Sequence, residues 1–521
     1  MKISEQREKI QELLTLLESE ESKVRGSATQ ELREFGEAIR VGERKDIIER
    51  TLELCGDEDV EVRGSAIMVL GYLKNKIPKN MREEVVEMML KLTDDPNAGV
   101  RGSAAITLGR LRDAIPLRLK KDIVVKILKL CSEDSAIVRG FSALALGHLK
   151  EIIPRDKQRD AIKVLLELTE DEDWGVRGAA VQALGNLKEI VVKHKSKSVV
   201  KRVYELSSDQ DPGVRGPAGW TLGELKEIIP IEMRKDVVKR LMDLSRDTDA
   251  TVRRPAAWAL GKLSLIIPKD MQKEVIDVVM EVGDYKEWGV RGPAARALGE
   301  LRDAIPIGMR VDVVKLLLNL CNEEDAVVRS SSVWALGKLG DIIPAEMRGR
   351  VFTQLIGMSN DVNWKVRGHV AKAFGQLKGV TPGDKKKTIA EKLFPMTDDS
   401  GWGIRDPAAW SIGELNKDIP KEMREEAINR MLLLTKDSDW EVRRHSSLGL
   451  GKFGDIIPIN RRKEIIERLL AIAKTDNDWS VVNSAARALK RLLHVTPNEM
   501  KDEVDMNIEK ILKGQSYKEE D

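Results

Sequence analysis

The chain has 521 residues, of which 33% are charged and only 4% aromatic, with Trp (10) outnumbering Phe (6) and Tyr (4). One large compact core is unexpected at that aromatic content, because such cores draw much of their volume from aromatic rings. Lys and Arg total 88 against 86 for Asp and Glu, a formal charge of +2, which argues against a bulk polyanion binder and leaves local patches open.

The N-terminus, MKISEQREKI, is charged from the start and lacks the apolar stretch of a secretory signal. No apolar run approaches the roughly 18 residues that a membrane-spanning helix needs. With three cysteines and no Cys-x-x-Cys, neither a disulfide framework nor a zinc cluster is expected, and the expected setting is soluble, reducing and cytoplasmic. Residues 3–19 read as the first helix of an N-terminal capping unit (1–40), with a charged outer face. From there the chain repeats itself. Val-Arg-Gly at Val24 recurs at Val62, Val100, Val138, Val176 and Val214. The register continues through Val252, Val290, Val328, Val366, Ile404 and Val442, every step being 38 residues. A thirteenth repeat starts one residue late, at Val481, with Val482 in place of the Arg. No Gly/Ser/Pro-rich linker interrupts the series, so residues 1–521 are expected to form one domain.

Counting from this Val as position 0, each repeat reads V-R-G-x-A-A-x-A-L-G-x-L, then two residues, two mostly aliphatic ones and Pro. Apolar residues at positions 0, 4, 7, 8, 11 and 15 form one stripe at helical spacing. Pro at position 16 ends that helix, as at Pro78, Pro230 and Pro420. A second stripe follows, for example Met233, Val237, Val238, Leu241 and Leu244. An Asp-rich turn then supplies cap oxygens for the next Val helix. Such a hairpin cannot bury its stripe alone and must stack on its neighbours; at about 10 Å per helix layer, thirteen would make a curved rod with a contour of roughly 130 Å. Arg33 and Arg40 replace the internal Gly and the Pro of the first repeat. Residues 480–521 read as a C-terminal capping unit whose Lys-Glu-Glu-Asp ending is a solvated acidic tail.

These residues resemble the HEAT-repeat family, in particular the short HEAT-like repeats also found in phycobilisome lyases. The resemblance rests on Asp-x-x-x-Val-Arg, the Ala-Ala-x-Ala-Leu-Gly-x-Leu helix and the Pro between helices, and it covers nearly the whole chain. The expected fold is therefore all-α, a right-handed α-solenoid (an armadillo-like superhelix) of about thirteen stacked 38-residue hairpins. Function does not follow, because the family includes scaffolds, transport adaptors, lyases and nucleic-acid enzymes.

The Arg at position 1, present in twelve of thirteen repeats, reads as structural. An Asp four residues before it (Asp59, Asp173, Asp211, Asp249, Asp325, Asp439) is its expected bidentate partner. Gly at position 9 implies close approach of neighbouring second helices, since a mid-helix Gly costs about 1 kcal/mol relative to Ala. Cys55, Cys131 and Cys321 share position 31 with Thr93, Thr169 and Ser207, which marks a small buried site near a helix end. The five histidines are scattered and none is followed by Glu; deoxyhypusine hydroxylase, a HEAT-like metalloenzyme, carries repeated His-Glu pairs, so that activity is not expected here. No phosphate loop or nucleophile elbow appears. No catalytic residue, metal or cofactor is expected.

Six tryptophans (Trp174, Trp288, Trp364, Trp402, Trp440 and Trp479) sit at position −2, where they are expected to pack over the start of the helix like a hydrophobic staple. The other four sit at position 6, which at 100° per residue points away from the stripe. Along repeats six to eleven this position reads Trp220, Trp258, Arg296, Trp334, Lys372, Trp410, alternating aromatic with cationic side chains. Trp and Arg dominate binding hot spots, so this row is the candidate binding site. The competing reading is internal packing, with Pro217, Pro255 and Pro407 under the rings. The expected function is a non-enzymatic scaffold or adaptor that holds a protein or extended peptide along the concave surface formed by the second helices. The alternative is single-stranded nucleic acid, with bases on Trp and phosphates on Arg254, Arg296, Lys372 and Arg444. Against it stand acidic residues at position 13, such as Glu151, Glu189 and Asp341. A lyase-like or chaperone role for a chromophore, implied only by the resemblance, has no Cys or His constellation behind it.

Overall fold

The computed structural model describes residues 3–32, 34, 39–40, 42–194 and 197–513. Arg33, the tail at 514–521 and the side chain of Trp288 lie outside the described residues. All regular structure among the described residues is helical, and the chain divides into two compact units, Met1–Ile267 and Pro268–Asp521. No described helix is long and apolar enough to cross a membrane.

Within each unit the element is the helical hairpin that the sequence period implies. In the N-terminal unit, Val60–Tyr72 is a second helix of this kind, and Val62, Ala66, Val69, Leu70, Leu73 and Ile77 are its buried stripe. Its N-cap, Asp59, has extended backbone and accepts the N–H groups of Glu61 and Val62. Asp173 and Asp211 cap in the same way, as do Asp325, Asp439 and Asp478 in the C-terminal unit. Pro78 then turns the chain. It lacks an N–H to continue the helix, and a single 3-10 turn at Lys79–Met81 leads into the Arg82–Leu92 helix. Pro420 does the same before Lys421–Met423 and Arg424–Leu434.

Second helices stack on second helices at the position-9 glycines. A Cβ on Gly147 would lie 2.9 Å from the Cα of Ala183, and one on Gly223 would lie 2.9 Å from the Cα of Ala259. In the C-terminal unit, one on Gly299 would lie 2.9 Å from the Cα of Ala335. Even a methyl group is too large there, which is the packing reason expected for these glycines.

The Arg at position 1 is structural, but its expected partner is wrong. Arg177 pairs with Asp209, not Asp173: Nε and Nη2 donate to the two carboxylate oxygens at 2.8 and 3.0 Å. Its Nη1 also donates to the backbone oxygens of Asp171 and Glu172. Arg25 and Asp57, Arg139 and Asp171, and Arg215 and Asp247 repeat this bond; so do Arg329 and Asp361, and Arg405 and Asp437, in the C-terminal unit. The partner is the Asp at position −5 of the next repeat. Where position −3 is Asp it is already occupied as an N-cap, so each of these Arg ties its own loop to the following one.

Position 31 is buried, as expected. Thr93, Thr169 and Ser207 return their hydroxyls to a carbonyl three residues back, and Cys55, Cys131 and Cys321 occupy the same slot.

Candidate partner-binding face

The four tryptophans at position 6 are half-buried, while Arg296 and Lys372 are exposed. Position 6 thus faces away from the stripe, and each indole still has a seat. A Cβ on Gly185 would lie 2.5 Å from Cζ3 of Trp220; one on Gly299 would lie 2.8 Å from that of Trp334, and one on Gly375 would lie 2.7 Å from that of Trp410. The position-9 glycine therefore serves twice, admitting the neighbouring backbone and the edge of the neighbouring indole. One part of each ring is packed and the remainder is open.

In the N-terminal unit the structure brings Trp220 and Trp258 together, stacked with centroids 6.2 Å apart and planes 24° from parallel. The Nζ of Lys262 lies 5.1 Å from the Trp258 ring centroid. In the C-terminal unit the Trp334 ring is flanked by Arg296 at 5.0 Å and Lys338 at 5.4 Å. Lys372 and Trp410 line one groove. The position-13 acids Glu189 and Asp341 are engaged by cations of the preceding repeat, Lys150 and Arg302.

Prolines at position 3 act on the helix packing beneath this face. A proline removes the N–H that would bond the carbonyl four residues back; Pro217 frees that of Gly213, Pro255 that of Thr251, and Pro407 that of Gly403. Each freed oxygen approaches the position-2 glycine of the preceding repeat. A Cβ there would lie 2.4 Å from the Gly213 oxygen, 2.9 Å from that of Thr251 and 2.6 Å from that of Gly403. Where position 3 is not proline, the corresponding distances are 3.3 Å (Gly102), 3.9 Å (Gly140) and 3.7 Å (Gly292). The carbonyls freed by proline thus sit closer to the preceding repeat than those that keep their helical partner.

The tryptophans at position −2 depart from expectation. Trp174, Trp364, Trp402, Trp440 and Trp479 are 40–53% exposed, so they do not close over the helix start as staples. Trp174 and Trp364 instead lie across the next repeat: a Cβ on Gly213 would be 2.5 Å from Cζ3 of Trp174, and one on Gly403 would be 2.8 Å from that of Trp364. Positions −2, 2 and 6 succeed each other every four residues and form one ridge, so this exposed group adjoins the position-6 row. That spacing was available in the sequence.

The two groups meet in the C-terminal unit, in a groove of about 470 Å³ walled by Trp364, Trp402, Pro407 and Trp410, with Lys365 and Lys372 at its margins. Its floor is the close contact of Gly368 with the Gly403 carbonyl. His369 lines it too, with a buried Nδ1. Burial first, then the positive charges of Arg296 and Lys372, hold this imidazole down to a pKa of about 4, so it is neutral near pH 7. Across the groove, His445 Nδ1 lies 2.5 Å from Asp406 Oδ1, and its Nε2 lies 3.2 Å from Arg444 Nη2. A proton on Nδ1 lets the ring donate to the carboxylate and accept from the guanidinium, which closes a charge-balanced Asp–His–Arg chain.

Comparisons with known proteins bear on the fold. The family described as HEAT repeats matches residues 48–120, 124–195, 199–299 and 390–490, and that described as HEAT-like repeat matches residues 288–339. No match was found among curated proteins. Among solved structures, the chain is similar to the karyopherin Kap121p bound to the SUMO protease Ulp1p, at 15% identity and a TM-score of 0.63, over 96% of this chain and 57% of that one. It is similar to yeast importin-beta (Kap95p) at 14% identity and a TM-score of 0.59, over 95% of this chain and 68% of that one. A Kap95:Nup1 complex matches at 14% identity and a TM-score of 0.58, over 93% and 67%. This chain thus spans between about half and two thirds of those karyopherins, and the likeness shows an all-α solenoid.

Proposed function

This chain belongs to the HEAT-repeat family, and from that premise we propose that it is a non-enzymatic cytoplasmic scaffold or adaptor. It holds a partner protein or extended peptide along the face of its second helices, the concave side of the solenoid. Trp220, Trp258, Arg296, Trp334, Lys372 and Trp410 carry the contact. The observation behind this reading is the state of those indoles: part of each ring is seated on a glycine, which fixes its orientation, while the rest stays open, beside exposed cations at Trp334 and Trp410. Preorganised Trp with neighbouring Arg or Lys is the composition of a binding hot spot. The karyopherin complexes support the proposal to the extent that their solenoids are seen with protein partners.

The test compares capture of partner proteins from the source cell by the native chain, by a Trp258→Ala/Trp334→Ala double variant and by an Arg296→Glu/Lys372→Glu double variant. Both variants should lose the same partners. The charge variant should keep its melting temperature, whereas the tryptophan variant should lose a few degrees because each ring is half-packed. Partners retained by both would refute the reading. Single-stranded nucleic acid remains the alternative because the row pairs indoles with cations. Its binding would fall steeply with salt, whereas a Trp-anchored peptide should hold.

A further inference from the structure

A five-residue set occurs twice. Trp174, Gly178, Gly213, Pro217 and Trp220 in the N-terminal unit have the same residue types as Trp364, Gly368, Gly403, Pro407 and Trp410, five repeats later in the C-terminal unit. The geometry matches as well. In both, the first Trp lies across the second Gly, the proline-freed carbonyl of that Gly meets the first Gly, and the second Trp is half-buried with its edge on a position-9 glycine. The first Trp of each is about half exposed, 53% for Trp174 and 52% for Trp364. Half-exposed indoles held in one orientation on a two-glycine floor are a built surface rather than scattered apolar residues.

The second copy carries additions that define a ligand. Trp402 adds a third indole wall where the first copy has Pro212, and Lys365 and Lys372 stand where it has Gly175 and Gln182. Neither lysine has a carboxylate partner among the described residues. The one acidic group lining the groove, Asp406, is occupied by His445, which Arg444 holds from the other side. The groove therefore has uncompensated positive charge at its margins and apolar walls within. Burial chiefly depresses His369, and Arg296, Lys372 and Lys365 add to that effect.

We infer that the Trp364–Trp402–Trp410 groove is a docking site for an extended acidic peptide, which inserts an apolar side chain between the indoles and sets flanking carboxylates against Lys365 and Lys372. The Trp174–Trp220 set is a second, uncharged anchor for an apolar side chain. The inference rests on the scaffold reading above and narrows it to a ligand chemistry. A cationic ligand is disfavoured by the lysines, and a polyanion with no apolar side chain would leave the walls of the groove uncovered.

The experiment uses the full chain and fluorescence anisotropy of three labelled probes: a short peptide of Glu and Ser with two Leu, its counterpart with Lys for Glu, and a single-stranded oligothymidylate. The Glu peptide should bind best. Trp402→Ala and Lys372→Glu should each weaken it by about tenfold, Trp402→Phe should recover most of the loss, and Trp174→Ala should weaken it less than Trp402→Ala. Trp402 and Lys372 are both exposed, so the variants should keep native circular dichroism and melting. Failure of the Glu peptide to bind, or binding by both variants as tight as by the native chain, overturns the inference. If the Lys peptide binds instead and loses affinity in Trp334→Ala, the inference falls and the scaffold reading stands. If neither peptide binds and the oligonucleotide does, both fall.

Discussion

The proline–glycine contacts make one class of substitution act in opposite directions at equivalent positions. Gly64 and Gly178 both occupy position 2 of a second helix, in repeats two and five. A Cβ on Gly64 meets nothing within 4 Å. Gly64→Ala should then stabilise by up to about 1 kcal/mol, the difference in helix propensity. A Cβ on Gly178 would lie 2.4 Å from the Gly213 oxygen, about 1 Å inside an ordinary contact. The obstacle is backbone, so two helices must separate for Ala to fit. Overpacking of this kind costs about 1–3 kcal/mol, and with propensity offsetting part, Gly178→Ala should lose about 2 kcal/mol. The two substitutions should differ by about 3 kcal/mol, more than a hundredfold in a local opening constant. Repeat proteins open locally, so the assay is amide hydrogen exchange read by segment: protection should fall across Trp174–Asn186 and Pro212–Glu224 in Gly178→Ala, and hold or rise across Val60–Tyr72 in Gly64→Ala. Adding Pro217→Ala to Gly178→Ala restores the missing N–H and should recover part of the loss, a coupling that a double-mutant cycle isolates. Equal protection changes in the two single variants would refute the reasoning.

The loop-to-loop guanidinium bonds predict that Arg177→Ala costs about 3 kcal/mol, because it strands Asp209 and the carbonyls of Asp171 and Glu172. Arg177→Lys should recover only part, since an ammonium cannot make the two-pronged bond; urea midpoints and segment exchange would measure both. The same pairs set the response to acid. Burial by itself would raise the carboxyls of Asp171, Asp209 and Asp437, but the Arg hydrogen bonds and a backbone N–H outweigh it and hold them below the ordinary aspartate range. Their contribution is therefore complete above the unfolded value of about 3.9 and is lost as pH falls through the lower folded values. Melting temperature should change little through these pairs between pH 7 and 5 and drop below pH 4; a loss centred near pH 6 would assign the acid response to histidine instead. Burial raises the thiols of Cys55, Cys131 and Cys321 to about 12, so none should react with a disulfide reagent at pH 8 until urea opens the repeats. A cysteine modified within minutes in the native chain would place position 31 at the surface.

The elements were legible from a single sequence because each depends on local chemistry. The stripe at positions 0, 4, 7, 8, 11 and 15, the Asp, Asn or Ser before most second helices and the Pro after most of them fix helix, start and stop without reference to any neighbour. The position-9 glycine pointed correctly to close helix packing for the same reason: its helix cost is intrinsic, so many copies require a contact. The partner of the position-1 Arg was not legible. Loops such as 57–59, 171–173 and 209–211 offer an Asp at both −5 and −3, and only the stacking decides that the first belongs to the preceding repeat's guanidinium while the second caps its own helix. Nor could position decide whether an indole at −2 is covered. That depends on the residue one repeat later, and at Gly213 and Gly403 the absent Cβ gives the Trp a flat seat on one side and leaves the other in solvent. Pattern along a chain determines what a helix must bury; which polar groups are consumed, and which apolar ones remain open, is settled by the surfaces that meet when repeats stack, because that contact joins residues more than thirty positions apart.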